Sequence, residues 1–159
     1  MKKTKIRLTL CCTLLLAILA FIWGNSAMPG EESGALSGWV GQLLCKLLPF
    51  LSLEDGIGMY ILRKLAHFSE FAALGMVLSW LFGMITPDRI RQWLLPLCCG
   101  VAAACVDETI QIFSPGRYSS IVDVSIDSAG VLTGIVALLL LYTIFKWINK
   151  RGKGSVKST

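Results

Sequence analysis

DETIQIFSPGRYSSIVDVSIDSAGVLTG, Asp107 to Gly134, sets Asp107, Glu108, Gln111, Arg117, Asp123 and Asp127 between two long apolar runs. Runs of that length point to lipid. An ionisable group at the centre of a membrane helix costs about 2.5–3.5 kcal/mol on insertion scales, so acids left there without partners need a reason. The Pro115-Gly116 pair marks Ser114–Val122 as a short turn, because these residues interrupt regular backbone. The stretch is therefore expected to be a helical hairpin with its polar residues at one end.

The rest of the chain fits the same solvent. Hydrophobic residues make up 55% and charged ones 16% of 159 residues, far more apolar than a soluble domain. The net charge of +5 does not mark a nucleic-acid surface, because the basic residues lie mostly at the termini and in one short loop. Cys11, Cys12, Cys98, Cys99 and Cys105 fall inside apolar runs and Cys45 stands apart. With no CxxC or Cys/His spacing, they read as small packing residues rather than disulfide or zinc ligands. The composition implies an all-α integral membrane protein.

Four spans are expected, at Leu8–Trp23, Ala66–Ile85, Trp93–Phe113 and Asp123–Trp147, each near the ~20 residues that cross a bilayer. Residues 8–148 form the membrane domain, between a basic start at 1–7 and a basic tail at 149–159. The first run follows MKKTKIR and has some features of a cleaved signal, but Asn25 is a poor residue before a cut. A retained first helix is therefore expected. Residues 24–62 form an outer loop that opens with the turn-rich GNSAMPGEESGALS. Within it, Trp39, Val40, Leu43, Leu44, Leu47 and Leu48 recur at helical spacing. They predict a short interfacial helix capped by Ser37 and stopped by Pro49, with Lys46 snorkelling.

Placing both termini and the Thr86–Gln92 loop inside puts eleven of the fifteen basic residues on the cytoplasmic side. Only Lys46, Arg63, Lys64 and Arg117 fall outside. That asymmetry is the positive-inside pattern of a four-span protein with both ends in the cytoplasm.

This orientation gathers the unusual residues into one layer near the outer face. Arg63, Lys64, His67 and Glu70 open the second span, Asp107, Glu108 and Gln111 close the third, and Asp123 and Asp127 open the fourth. Arg63, His67 and Glu70 fall at i, i+4 and i+7 and share a helix face. Gly130 and Gly134 share a face with Asp127 and permit close approach of another helix below it. The expected outcome is an outward polar pocket in which Arg63, Lys64 and Arg117 stand against the acids, with Arg117 clamping its turn to Asp123. Such a layer can be interhelical glue or a site. His67, Glu70, Asp107 and Glu108 are the candidates for acid/base chemistry. His67, Asp107, Glu108 and Asp127 can also hold a divalent metal, but no ligand spacing specifies one. The sequence therefore assigns neither metal nor cofactor.

At HFSEFAALG (His67–Gly75), DETIQIFSPGR (Asp107–Arg117) and DVSIDSAGVLTG (Asp123–Gly134) the chain resembles the VanZ-like family. Lys64, His67, Phe68, Glu70, Asp107, Glu108, Gln111, Arg117, Asp123, Gly130 and Gly134 match its pattern, and Ser26, Ser33 and Ser37 resemble its serine-bearing loop. Asp127 stands where the family usually has Asn, and Phe71 where Tyr is common. The resemblance implies a multi-pass protein of the cell membrane, in a family associated with low-level resistance to the glycopeptide teicoplanin.

Three functions follow as expectations. One is a binding or modulating protein whose pocket engages an envelope lipid, a lipid-linked cell-wall precursor or a glycopeptide. Another is an intramembrane enzyme acting on such a lipid, although no Gly-x-Ser-x-Gly elbow, His-Glu-x-x-His motif or phosphate-cradling glycine loop is present. The last is a structural polar network with no chemistry. Four spans offer little for alternating access, which disfavours a transporter.

Overall fold

A computed structural model describes residues 2–47 and 56–155, and every regular element among them is an α-helix. In order these are α1 (Lys2–Ala27), α2 (Gly30–Leu47), α3 (Gly56–Ile85), α4 (Arg89–Ile112) and α5 (Ile121–Ser155). Within them, Thr4–Ala27, Gly56–Ile85, Arg89–Ile112 and Ile121–Lys150 are long and apolar enough to cross a membrane. The chain is a multi-pass membrane protein.

The bundle is apolar outside, and one end of its interior is polar. Leu10, Leu16, Phe21, Leu141 and Phe145 are exposed, whereas Asp107, Glu108, Arg117 and Asp127 are buried. A soluble protein would not present so much contiguous apolar surface to water. Lipid covers it at no such cost, and the charged groups turn inward to partners.

α3 and α5 form the closest pair. A Cβ on Gly134 would overlap the Ala72 carbonyl, and one on Gly130 would overlap that of Phe68. Hydrogen in place of a side chain lets the two backbones touch, as the spacing of these glycines predicts. Around this seam Ile22, Phe71, Leu74, Leu78, Ala103, Ala104, Val131 and Ile135 make the apolar core. Phe71 is fully buried there, among neighbours that offer a hydroxyl little to bond.

The helices run further than the apolar runs alone suggest. α3 begins at Gly56 rather than near Ala66, and α4 at Arg89 rather than Trp93. The α4 start is fixed by Asp88, whose carboxylate accepts the Ile90 N–H at 2.9 Å, an N-cap that satisfies one of the helix's orphan donors. The polar stretch from Gly24 is not a loop: α1 continues to Ala27 and α2 starts at Gly30. Glu31 and Glu32 in the first turn of α2 suit the positive end of its dipole. The helix therefore starts ahead of the Ser37 cap predicted from sequence. Trp39 and Lys46 on it are exposed, and the expected stop at Pro49 lies outside the described residues.

Candidate functional site

One end of the bundle collects the C-termini of α1 and α4, the N-terminal halves of α3 and α5, and the 113–120 turn. The turn docks on the α1–α2 junction. Gly116 adopts φ +73°, a left-handed conformation that glycine alone takes without strain. The preceding Pro115 carbonyl accepts the Gly30 N–H at 2.9 Å. Ser114 Oγ donates to the Ser26 carbonyl at 2.8 Å, and Arg117 Nη2 donates to the Asn25 carbonyl at 2.8 Å. These are among the last carbonyls of α1, which have no partner within the helix and carry its negative end. Arg117 is thus held by a helix terminus. It does not clamp the turn to Asp123; that acid is paired with the Lys64 ammonium instead, which reaches it from the adjoining helix α3. Lys64 also stands over the Tyr60 ring, 5.1 Å from its centroid.

The acids are bound into a network by Gln111. Its amide nitrogen donates to Asp107 Oδ2 at 2.9 Å and to Glu108 Oε1 at 3.2 Å, the i, i+4 and i, i+3 contacts that a helix face provides. Glu108 Oε2 accepts the Ser120 N–H at 2.7 Å. Ser120 also closes the start of α5, its Oγ accepting the Val122 N–H at 3.2 Å. Asn25 Nδ2 donates to Glu70 Oε1 at 3.2 Å, and His67 Nδ1 lies 3.9 Å from Asp107 Oδ2.

A cavity of about 300 Å³ opens among these groups. Arg63, Lys64 and His67 of α3, Glu108 and Gln111 of α4, Arg117 of the turn, and Asp123 and Asp127 of α5 line it. Depth follows from helix rise. His67 and Asp127 each lie one turn, about 6 Å, further along their helices than Arg63 and Asp123. The remaining two candidates are not on the wall. Asp107 is completely buried behind it, and Glu70 turns toward Asn25.

Several polar atoms in this layer have no hydrogen-bond partner: Glu70 Oε2, Asp107 Oδ1, Asp127 Oδ2, and Arg117 Nε and Nη1. Burial lowers the Arg117 guanidinium from its ordinary value, with Arg63 adding to the effect and Asp107, Glu108 and Glu70 opposing it. An arginine so disposed remains charged. Its two unpartnered donors leave spare hydrogen-bonding capacity beside the cavity that Arg117 lines.

Asn25 and Ser120 were not among the site residues expected from sequence, and Ser26 was noted only for its serine-bearing stretch, yet they partner Arg117, Glu108 and Gln111. The available signal was depth. Asn25 and Ser26 are polar residues ending a long apolar run at the same level as the acids.

Residues 11–145 match the family model described as VanZ/LLP1. No curated protein and no solved structure matches the chain.

Proposed function

The chain belongs to the VanZ/LLP1 family, and we propose that it is a cell-membrane protein that engages the phosphate-bearing headgroup of an envelope lipid or lipid-linked cell-wall precursor. By doing so at the outer face it lowers susceptibility to the glycopeptide teicoplanin. The observation that carries this reading is the polar cavity at one end of an apolar bundle, with Arg63, Lys64 and Arg117 on its wall and two Arg117 nitrogens without partners. A guanidinium in that state suits a phosphate oxygen pair. The orientation is supported by the opposite end, where the start of α1, the start of α4 and the end of α5 carry Lys2, Lys5, Arg7, Arg89, Arg91, Lys146 and Lys150.

Purified protein would be presented with vesicles containing phosphatidylglycerol or an undecaprenyl phosphate, and bound lipid measured by native mass spectrometry. Arg63→Ala, at a half-buried rim position, and Arg117→Lys should both lose lipid while accumulating in membranes at the wild-type level. Equal lipid binding and equal drug sensitivity in both variants would overturn the proposal. The Gln111 network also favours a structural role for the acids. Glu108→Gln is the variant that separates the two, since glue alone predicts lost protein rather than lost binding.

A further inference from the structure

We propose that His67, Asp107 and Asp127 bind one divalent transition-metal ion, Zn²⁺ or Mn²⁺, at the inner end of the polar cavity. The three residues come from α3, α4 and α5, and a ligand atom from each lies within 4.8 Å of the other two. A metal held at about 2.0–2.2 Å from each ligand would require only a small inward closure of that triangle.

The second observation is the state of the carboxylates. Asp107 is 0% and Asp127 1% exposed, yet Asp107 Oδ1 and Asp127 Oδ2 have no hydrogen-bond partner. A buried carboxylate oxygen in that condition has lost water without replacement. Neither oxygen is reached by a nearby cation: the Lys64 ammonium pairs with Asp123, and Arg117 donates through Nη2 to the Asn25 carbonyl while its Nε and Nη1 bond no acid. Charge points the same way. Glu70, Asp107, Glu108, Asp123 and Asp127 outnumber Arg63, Lys64 and Arg117 by two in this layer, which is the deficit a dication cancels when the acids are ionised.

The donor set selects the class of ion. One imidazole with two carboxylates suits zinc or manganese, whereas calcium and magnesium prefer all-oxygen shells. Gln111 already performs the supporting role that metal ligands need, donating to Asp107 Oδ2 at 2.9 Å and fixing that carboxylate's orientation. Three protein ligands leave a coordination position open. Because His67 and Asp127 line the cavity, that position faces it and is available to water or a phosphate oxygen. The metal site does not depend on lipid binding, since uptake is measured without lipid.

The test uses the full chain in detergent, its affinity tag removed, stripped with EDTA and titrated with MnCl₂ or ZnCl₂. Wild type should take up one equivalent by elemental analysis. It should also show ¹⁴N coupling to bound Mn²⁺ in pulsed electron paramagnetic resonance, and His67 is the one histidine in the sequence. His67→Gln should abolish that coupling, and Asp127→Asn should weaken uptake by at least about tenfold. Asp88→Asn, at an exposed helix cap, should bind as wild type does. Substoichiometric metal in wild type, or stoichiometric Mn²⁺ without nitrogen coupling, would overturn the proposal even if a variant failed to fold. Unchanged uptake in folded Asp127→Asn would do the same.

Discussion

Gly134→Ala should destabilise the protein although alanine is the better helix former. At Gly134 a Cβ would lie 2.8 Å from the Ala72 carbonyl carbon and 2.9 Å from Met76 N, besides overlapping the Ala72 oxygen. All three are backbone atoms and cannot rotate away. α3 must therefore move off α5, disturbing the packing of Phe71, Leu74, Val131 and Ile135. Overpacking of this kind costs about 1–3 kcal/mol, against a helix-propensity gain of about 0.8–1 kcal/mol. Because every blocking atom is backbone, the upper half of that range, about 2–3 kcal/mol, applies, and the net expectation is a loss of about 1–2 kcal/mol. Gly83→Ala is the internal control, because a Cβ there meets nothing within 4 Å and should stabilise α3 by about 0.5–1 kcal/mol. Both variants would be unfolded with SDS from the same mild detergent and followed by circular dichroism. If Gly134→Ala matched or exceeded wild type, or if Gly83→Ala fell with it, the seam would not be a tight backbone contact.

Gln111→Leu should cost about 1–3 kcal/mol in the same assay, because it strips a donor from two buried carboxylates. A loss within error of zero would mean that the acids find other partners. The Lys64–Asp123 pair, with side chains 21% and 18% exposed, should give a coupling of about 1 kcal/mol in a Lys64→Met, Asp123→Asn double-mutant cycle. Additive single effects would show that the pair does not operate in the folded protein. With native cysteines replaced, Tyr118→Cys at the highly exposed turn should react with an impermeant maleimide in intact cells, while Arg91→Cys should react only after permeabilisation. The reverse pattern would invert the orientation.

The spans were legible because the apolar runs are long and the polar residues separating them are few. Their ends were less so. Once a membrane helix is formed, flanking residues such as Gly56–Gly58 or Arg89 can extend it for little free energy, so composition marks the hydrophobic centre rather than the last turn. The stretch after Trp23 misled for a different reason. Gly24, Asn25 and Ser26 are common turn residues, but here the last-turn carbonyls of Asn25 and Ser26 are satisfied by Arg117 and Ser114. That compensation comes from a turn far along the chain, and no local pattern encodes it.

The candidate site divides along the same line. Contacts within one helix were readable, and Asp107 and Gln111, four apart, are hydrogen-bonded. Contacts between helices were not, which is why Asp123 is paired with Lys64 while Arg117 goes to α1. Spacing fixes a residue's angle around its own axis, about 100° per position, but not its height against a neighbouring helix. That height is set here by the glycine seam, where Gly130 rests on Phe68 and Gly134 on Ala72. Phe68 adjoins His67, and Gly130 is less than one turn from Asp127. The contact that holds α3 to α5 therefore also sets the separation of His67 and Asp127. Added bulk at Gly130 should open the polar layer before it unfolds the bundle, so that a folded Gly130→Ala protein loses whatever the cavity binds.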